Sequence, residues 1–237
     1  MGNQSHAIYS AAAGSGASKA VPAPTPEESW NALYRIAPAQ EYQAGKILFQ
    51  QGFPVREIYL IDQGVVKLVR LAESGQEMIV GLRAPGCILG TASAIVRKPH
   101  SVTATTISAC WLRKIPLDLF LDLARNDQQF CWHLHQVHSR EVYDQADQLV
   151  GIKYLSARQR LEQLLQQLIR ALGVDEMREP VMLPLPLKHW EIAQMIGITP
   201  EHLSRVLKQL QEEGIMRRDS GCMMIYDLQQ LYNPAAA

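Results

Sequence analysis

The sequence predicts an α+β chain: an N-terminal roll of short antiparallel strands, one long helix, and a small C-terminal domain of helices closed by a hairpin. Three observations predict it. Between Pro38 and Lys114 β-rich runs are punctuated by glycine, from Asn126 to about Tyr154 apolar residues recur at helical spacing, and from Trp190 to Gly214 two short helical patterns meet at a glycine. The expected boundaries are a tail over 1–26, a roll over 27–125, a long helix over 126–155 and a terminal domain over 156–237.

The first 26 residues are rich in Ala, Ser, Gly and Pro and are expected to form a flexible tail. The strand runs are Lys46–Phe49, Ile58–Asp62, Val65–Leu71, Met78–Val80, Val102–Ile107 and Cys110–Arg113, with the spacing of an antiparallel roll or sandwich. Pro116–Arg125 then reads as a short helix with proline in its first turn. In the long helix, Phe130, Leu134 and Val137 form a stripe that can cover the roll. A second stripe, Cys131, His135, His138, Val142, Gln145, Leu149 and Ile152, can meet a partner subunit. Ser156 is placed to cap the next helix, which runs with Leu161, Leu164, Leu165 and Leu168 toward Gly173.

The stretch Trp190–Gly214 carries the chemistry. Its first helix is set by Ile192, Met195 and Ile196, and Gly197 ends it where a left-handed residue is needed. Thr199 can cap the second helix, Pro200 suits its first position, and Glu201 favours its positive end. Leu203, Val206, Leu207 and Leu210 give that helix one apolar face, leaving Glu201, His202, Ser204, Arg205 and Lys208 outside. Those types suit the DNA major groove: an Arg fork fits guanine, a carboxylate accepts from cytosine, and a hydroxyl meets either kind of edge. Thr199 and Lys208 fit phosphates. The competing reading is a solvated helix in an all-helical domain. Ile215–Tyr226 argues against it, reading as two strands about a turn at Asp219-Ser220-Gly221, a wing with Arg217 and Arg218 placed for phosphates. Asp227 can cap a last helix through Leu231.

Composition bounds these readings. The 237 residues hold 23 Lys or Arg and 23 Asp or Glu, so no general basic charge draws the chain to nucleic acid. From Ala157 onward nine basic residues face ten acidic ones, and any positive surface must come from clustering. Asp175, Glu176 and Glu179 precede the helix pair, whereas Arg205, Lys208, Arg217 and Arg218 lie within or after it. The four cysteines lack zinc or CxxC spacing, which fits a reducing cytoplasm, and no apolar run reaches membrane-spanning length. An enzyme of the cupin kind needs two or three histidines in the roll, where only His100 stands. No GxSxG, HExxH, P-loop or dinucleotide fingerprint occurs either, so no catalytic residue is assigned.

The order of parts, with Ala44–Gly52, Ile58–Lys67 and Gly75–Ile79 as they stand, resembles the CRP/FNR family of bacterial transcription regulators over about residues 38–231. The resemblance implies a cyclic-nucleotide-binding-like roll and a homodimer paired through the long helix. It also implies one recognition helix per half of an inverted DNA repeat, with RNA polymerase as protein partner. Glu201-His-Leu-Ser-Arg205 is similar to the Glu-x-x-Ser-Arg pattern of the FNR branch, which implies a TTGAT-like half-site. Arg205 would then contact guanine, Glu201 the bases opposite and Ser204 a thymine, with His202 beside them.

For sensing, the cyclic-nucleotide branch carries Gly-Glu and then Arg-Ser in the roll. Here the matching effector-pocket positions are Gly90-Thr91 and His100-Ser101, so the contacts to ribose and phosphate are missing. The iron-sulfur branch needs clustered N-terminal cysteines, and none precedes Cys87, so no such cluster is expected. Three ideas remain: haem or metal on Cys131, His135 and His138 with neighbouring His133, oxidation of Cys222 in the wing, or no small effector. A non-DNA interaction module that keeps the winged fold is the other class.

Overall fold

A computed structural model describes residues 31–174, 180–219 and 221–232. The expected tail, the acids Asp175, Glu176 and Glu179, and Ser220 of the hairpin turn lie outside the described residues. Helix α1 (Asn31–Ile36) precedes the roll strands β1 (Ala39–Tyr42), β2 (Ile47–Phe49), β3 (Glu57–Gln63), β4 (Val66–Leu71), β5 (Glu77–Arg83) and β6 (Ile88–Leu89). A short α2 (Thr91–Ile95) is followed by β7 (Thr103–Thr106) and β8 (Cys110–Pro116). Next come α3 (Leu117–Asn126), the long α4 (Gln128–Tyr154) and α5 (Ala157–Leu172). The terminal domain continues with β9 (Val181–Pro184), α6 (His189–Met195), α7 (Pro200–Glu212), β10 (Met216–Asp219), β11 (Cys222–Ile225) and α8 (Leu228–Tyr232).

The roll is two four-stranded sheets, β1-β8-β3-β6 and β2-β7-β4-β5, with every pairing antiparallel. Strand side chains alternate between faces, yet Ile58, Tyr59, Leu60 and Ile61 of β3 are all buried. Both faces are covered: Tyr59 and Ile61 pack between the sheets with Val66, Leu89 and Leu112, while Ile58 and Leu60 pack on Phe120, Phe130 and Leu134 of the helices. The stripe Phe130, Leu134, Val137 therefore lies on the roll as expected, with Phe130 edge-on to Phe120 at 5.9 Å.

Helix ends follow their caps. Asp127 leaves helical geometry and accepts from the Phe130 amide at 2.9 Å, so α4 starts at Gln128 and not at Asn126. Pro116 sits just before α3 as the last residue of β8, not inside its first turn. Ser156 and Gln159 form a reciprocal capping box at the start of α5, and Gly173 closes it in the left-handed region at φ 58°. The wing has three strands, not two, because β9 joins β11 at the sheet's edge. Its own last residue Pro184 and the following Pro186 hide it in sequence, and an edge is where proline is tolerated.

Gly64 turns the chain between β3 and β4 at φ +90°, and a Cβ there would stand 2.6 Å from Cys110 Sγ and collide with the Ala109 carbonyl oxygen. Backbone strain and overpacking then act together. Gly64→Ala is expected to destabilise the chain by about 2–4 kcal/mol in urea unfolding; a loss under ~0.5 kcal/mol would mean that this turn relaxes freely.

Candidate nucleic-acid interface and sensor region

Helix α6 begins at His189, after Lys188, whose amide donates to Glu191 Oε2 at 2.7 Å. Ile192, Ala193 and Ile196 are buried, Gly197 takes φ 67°, and the Ile198 amide donates back to the Ala193 carbonyl at 3.0 Å. Thr199 then caps α7 by accepting from the His202 amide at 3.3 Å, and Pro200 opens the helix. Leu203, Val206 and Leu210 turn into the core, and Leu207 is half-buried. Glu201, Ser204, Arg205 and Lys208 are exposed on the opposite side, and His202 is half-buried.

The Glu201 carboxyl is held below the usual carboxylate range, first by its own backbone N–H, then by the Thr199 hydroxyl, with nearby Arg205 adding to it. An ionised Glu201 is an acceptor only, the form that suits a cytosine amine. Lys208 makes a loose 3.6 Å pair with exposed Glu212, which leaves it available to a phosphate. Ser204 donates to the Pro200 carbonyl at 3.1 Å and lies 3.0 Å from His189 Nε2. His189 was not singled out by the sequence, because nothing in the spacing of α6 and α7 marks their approach.

The two wing arginines differ. Arg217 is exposed. Arg218 folds inward, donating from Nη2 to the Leu187 carbonyl at 2.6 Å and from Nη1 to His189 Nδ1 at 3.0 Å. Its guanidinium supports the helix pair in this arrangement. At the far end of α7, Arg158 of α5 binds the buried Glu162 at 2.8 Å and reaches Glu213 at 2.6 Å. Burial pushes the Glu162 carboxyl up, and Arg158 opposes that shift.

Contacts between the roll and α6 also lack a periodic signature. Lys67 of β4 pairs with Glu191, and Gln194 bridges to β5. Its Oε1 accepts from the Ile79 amide at 3.0 Å and its Nε2 donates to the Glu77 carbonyl at 2.7 Å. Leu82 and Ile107 of the roll pack on the terminal domain's core.

Of the four expected effector positions, Gly90 and His100 adjoin, a Cβ on Gly90 standing 3.4 Å from His100 Cε1, while Thr91 is engaged toward α4 and Ser101 is exposed. Gly90 turns the chain at φ +91°, and Thr91 is buried with its hydroxyl 3.0 Å from His138 Nε2 on α4. His100 is buried and stacked on Phe49 at 3.9 Å with 10° between the rings, lining a cleft of about 450 Å³ with Phe53, Glu57 and Tyr59. Ser101 is exposed. His138 is thus engaged by Thr91, Cys131 is half-buried and His135 exposed, and His133 is half-buried. Among the described residues no group of three or more His, Cys, Asp or Glu side chains is placed to hold a metal ion. The Cys222 thiol donates to the Asp219 carbonyl at 3.1 Å within the wing turn. Burial pushes the thiols of Cys87 and Cys110 up, away from the reactive thiolate.

Residues 39–127 match the family model of the cyclic nucleotide-binding domain, and residues 159–233 match that of the Crp-like helix-turn-helix domain. A regulatory protein HlyX of Actinobacillus pleuropneumoniae is 28% identical over 188 residues, covering 78% of this chain and 75% of the relative. An anaerobic regulatory protein of Pasteurella multocida is 26% identical over 203 residues, covering 84% and 71%. Among solved structures, FixK2 from Bradyrhizobium japonicum shares the fold at TM-score 0.72 and 24% identity, covering 85% of this chain and 98% of that one. Among the described residues no helix is long and apolar enough to cross a membrane.

Burial lowers the pKa of the stacked His100 below its ordinary 6.5. The unfolded chain then binds the proton first, so stability from this residue is present above pH ~6.5 and is lost as pH falls through the histidine range. Comparing wild type with His100→Phe by thermal melts at pH 7.5 and 5.5 is expected to show a smaller acid-induced drop in the variant; equal drops would contradict the assignment.

Proposed function

The chain belongs to the CRP/FNR family of DNA-binding transcription regulators, and on that premise we propose that it acts as a homodimer whose α7 helices read an inverted repeat of TTGAT-like half-sites. One observation carries the reading. A capped helix opening on Thr199 and Pro200 buries Leu203, Val206 and Leu210, and holds Glu201, Ser204 and Arg205 together on its exposed side. Arg205 is assigned to guanine, Glu201 to the bases opposite and Ser204 to the pair beside them, with His202 at the margin. Thr199, Lys208 and Arg217 are assigned to phosphates, and Arg218 acts from behind them.

Dimerisation through α4 is supported by its uncovered apolar edge: Val142, Leu149 and Ile152 are 64%, 70% and 60% exposed in the single chain. A two-fold protein matches a two-fold site, which gives the inverted repeat its geometric reason. RNA polymerase is the protein partner that family membership suggests. The signal is proposed to be something other than cAMP held by a ribose carboxylate and a phosphate guanidinium, since Thr91 and His100 occupy those places and face His138 and Phe49.

Fluorescence anisotropy on a labelled TTGAT-like palindrome at fixed salt tests the proposal. Arg205→Ala is expected to cost about 1–3 kcal/mol on the palindrome, concentrated at one base pair, and almost nothing on scrambled duplex. Unchanged affinity for both duplexes would refute the assignment of Arg205.

A further inference from the structure

The hydrogen-bonding sense of Ser204 is set by a residue outside the recognition helix. We propose that His189 is a specificity-positioning residue: it donates to Ser204 and leaves that hydroxyl only an acceptor to offer the groove, so that Ser204 reads the exocyclic amine of an adenine or a cytosine. The inference rests on the reading of α7 as the recognition helix.

Arg218 Nη1 lies 3.0 Å from His189 Nδ1, and a guanidinium has donors only, so Nδ1 accepts and carries no proton. Nε2 lies 3.0 Å from the Pro200 carbonyl oxygen, which accepts only, so the ring proton sits on Nε2. Two independent neighbours therefore fix the same neutral tautomer. Ser204 Oγ is 3.0 Å from that Nε2 and 3.1 Å from the Pro200 carbonyl oxygen. Since Nε2 carries the proton it cannot accept from Ser204, so the one hydroxyl proton of Ser204 goes to Pro200, and the single Nε2 proton is shared between that carbonyl and one lone pair of Ser204. What remains on the exposed side is a single acceptor.

In the major groove an acceptor finds a proton on adenine N6 or cytosine N4, whereas the keto oxygens of guanine and thymine offer none. Arg218 is held in turn by the Leu187 carbonyl at 2.6 Å, so the chain Leu187, Arg218, His189, Ser204 carries the wing's position into the base-reading face. At a thymine position of the proposed half-site, the group read is the amine of the adenine paired with that thymine.

The test uses the full-length protein as wild type, His189→Ala, His189→Gln and Ser204→Ala. Each is titrated by anisotropy against operators in which every adenine or cytosine in turn is replaced by an analogue lacking the exocyclic amine, and against scrambled duplex. Removing one amine is expected to weaken wild type about 3- to 10-fold at a single position. His189→Ala and Ser204→Ala lose that discrimination at that position only, while keeping the wild-type affinity for scrambled duplex; His189→Ala also lowers the melting temperature, since Arg218 loses an acceptor, whereas Ser204→Ala leaves that contact in place. His189→Gln, which retains a terminal N–H donor, restores part of it. If His189→Ala keeps the discrimination, weakens all duplexes equally, or if no amine matters to wild type, the inference is overturned. Wild-type protein that binds operator and scrambled duplex alike instead overturns the assignment of α7, and the inference falls with it.

Discussion

The arrangement depends on one carboxylate. Glu191 is buried, and a buried charge is tolerated only when paired and hydrogen-bonded. One oxygen closes the first turn of α6 by accepting the Lys188 amide, and the other meets the Lys67 ammonium on β4 of the roll. The same group therefore terminates a helix and joins two domains. Gln194, one turn later, satisfies an amide and a carbonyl of β5, so α6 lies along that hairpin as an added partner to its backbone.

That attachment gives the roll a physical route to the helix proposed to read DNA. Ile192 and Ile196 of α6 share a core with Leu203 and Leu210 of α7, and a packed core moves as a body. Thr91 ties the short helix of the roll to His138 of α4, so the roll is fastened both to the proposed dimer helix and to the reading domain. A ligand or modification that favours one arrangement of these contacts over another would shift DNA affinity by that difference and no more. The chain breaks at Leu155 and Ser156 between α4 and the capped α5, and Arg160 spans the break by donating to the Ile152 and Leu155 carbonyls.

Local patterns were legible where one residue's chemistry decides a local outcome. Thr199, Pro200, Gly197, Ser156 and Asp227 mark helix ends, and the structure uses each as a cap or terminator. The glycine-punctuated runs marked the longer roll strands, but β1 is too polar, β6 too short and β9 too rich in neighbouring proline to stand out. Exposed positions on α7 followed from period alone. Polar pairs distant in sequence did not: Lys67 and Glu191 are 124 positions apart, and neither hydrophobic period nor charge spacing links them. Arg218 illustrates the same limit, since a charged residue beside a turn reads as exposed until a carbonyl and an imidazole are found to receive it.

The roll holds the terminal domain through the Lys67 and Glu191 pair. A double-mutant cycle of Lys67→Met and Glu191→Gln, followed by urea unfolding, measures it directly, because glutamine keeps an acceptor for the Lys188 amide and removes the charge. A coupling energy of about 1–3 kcal/mol between the two substitutions agrees with this view. Additivity within ~0.3 kcal/mol would contradict it.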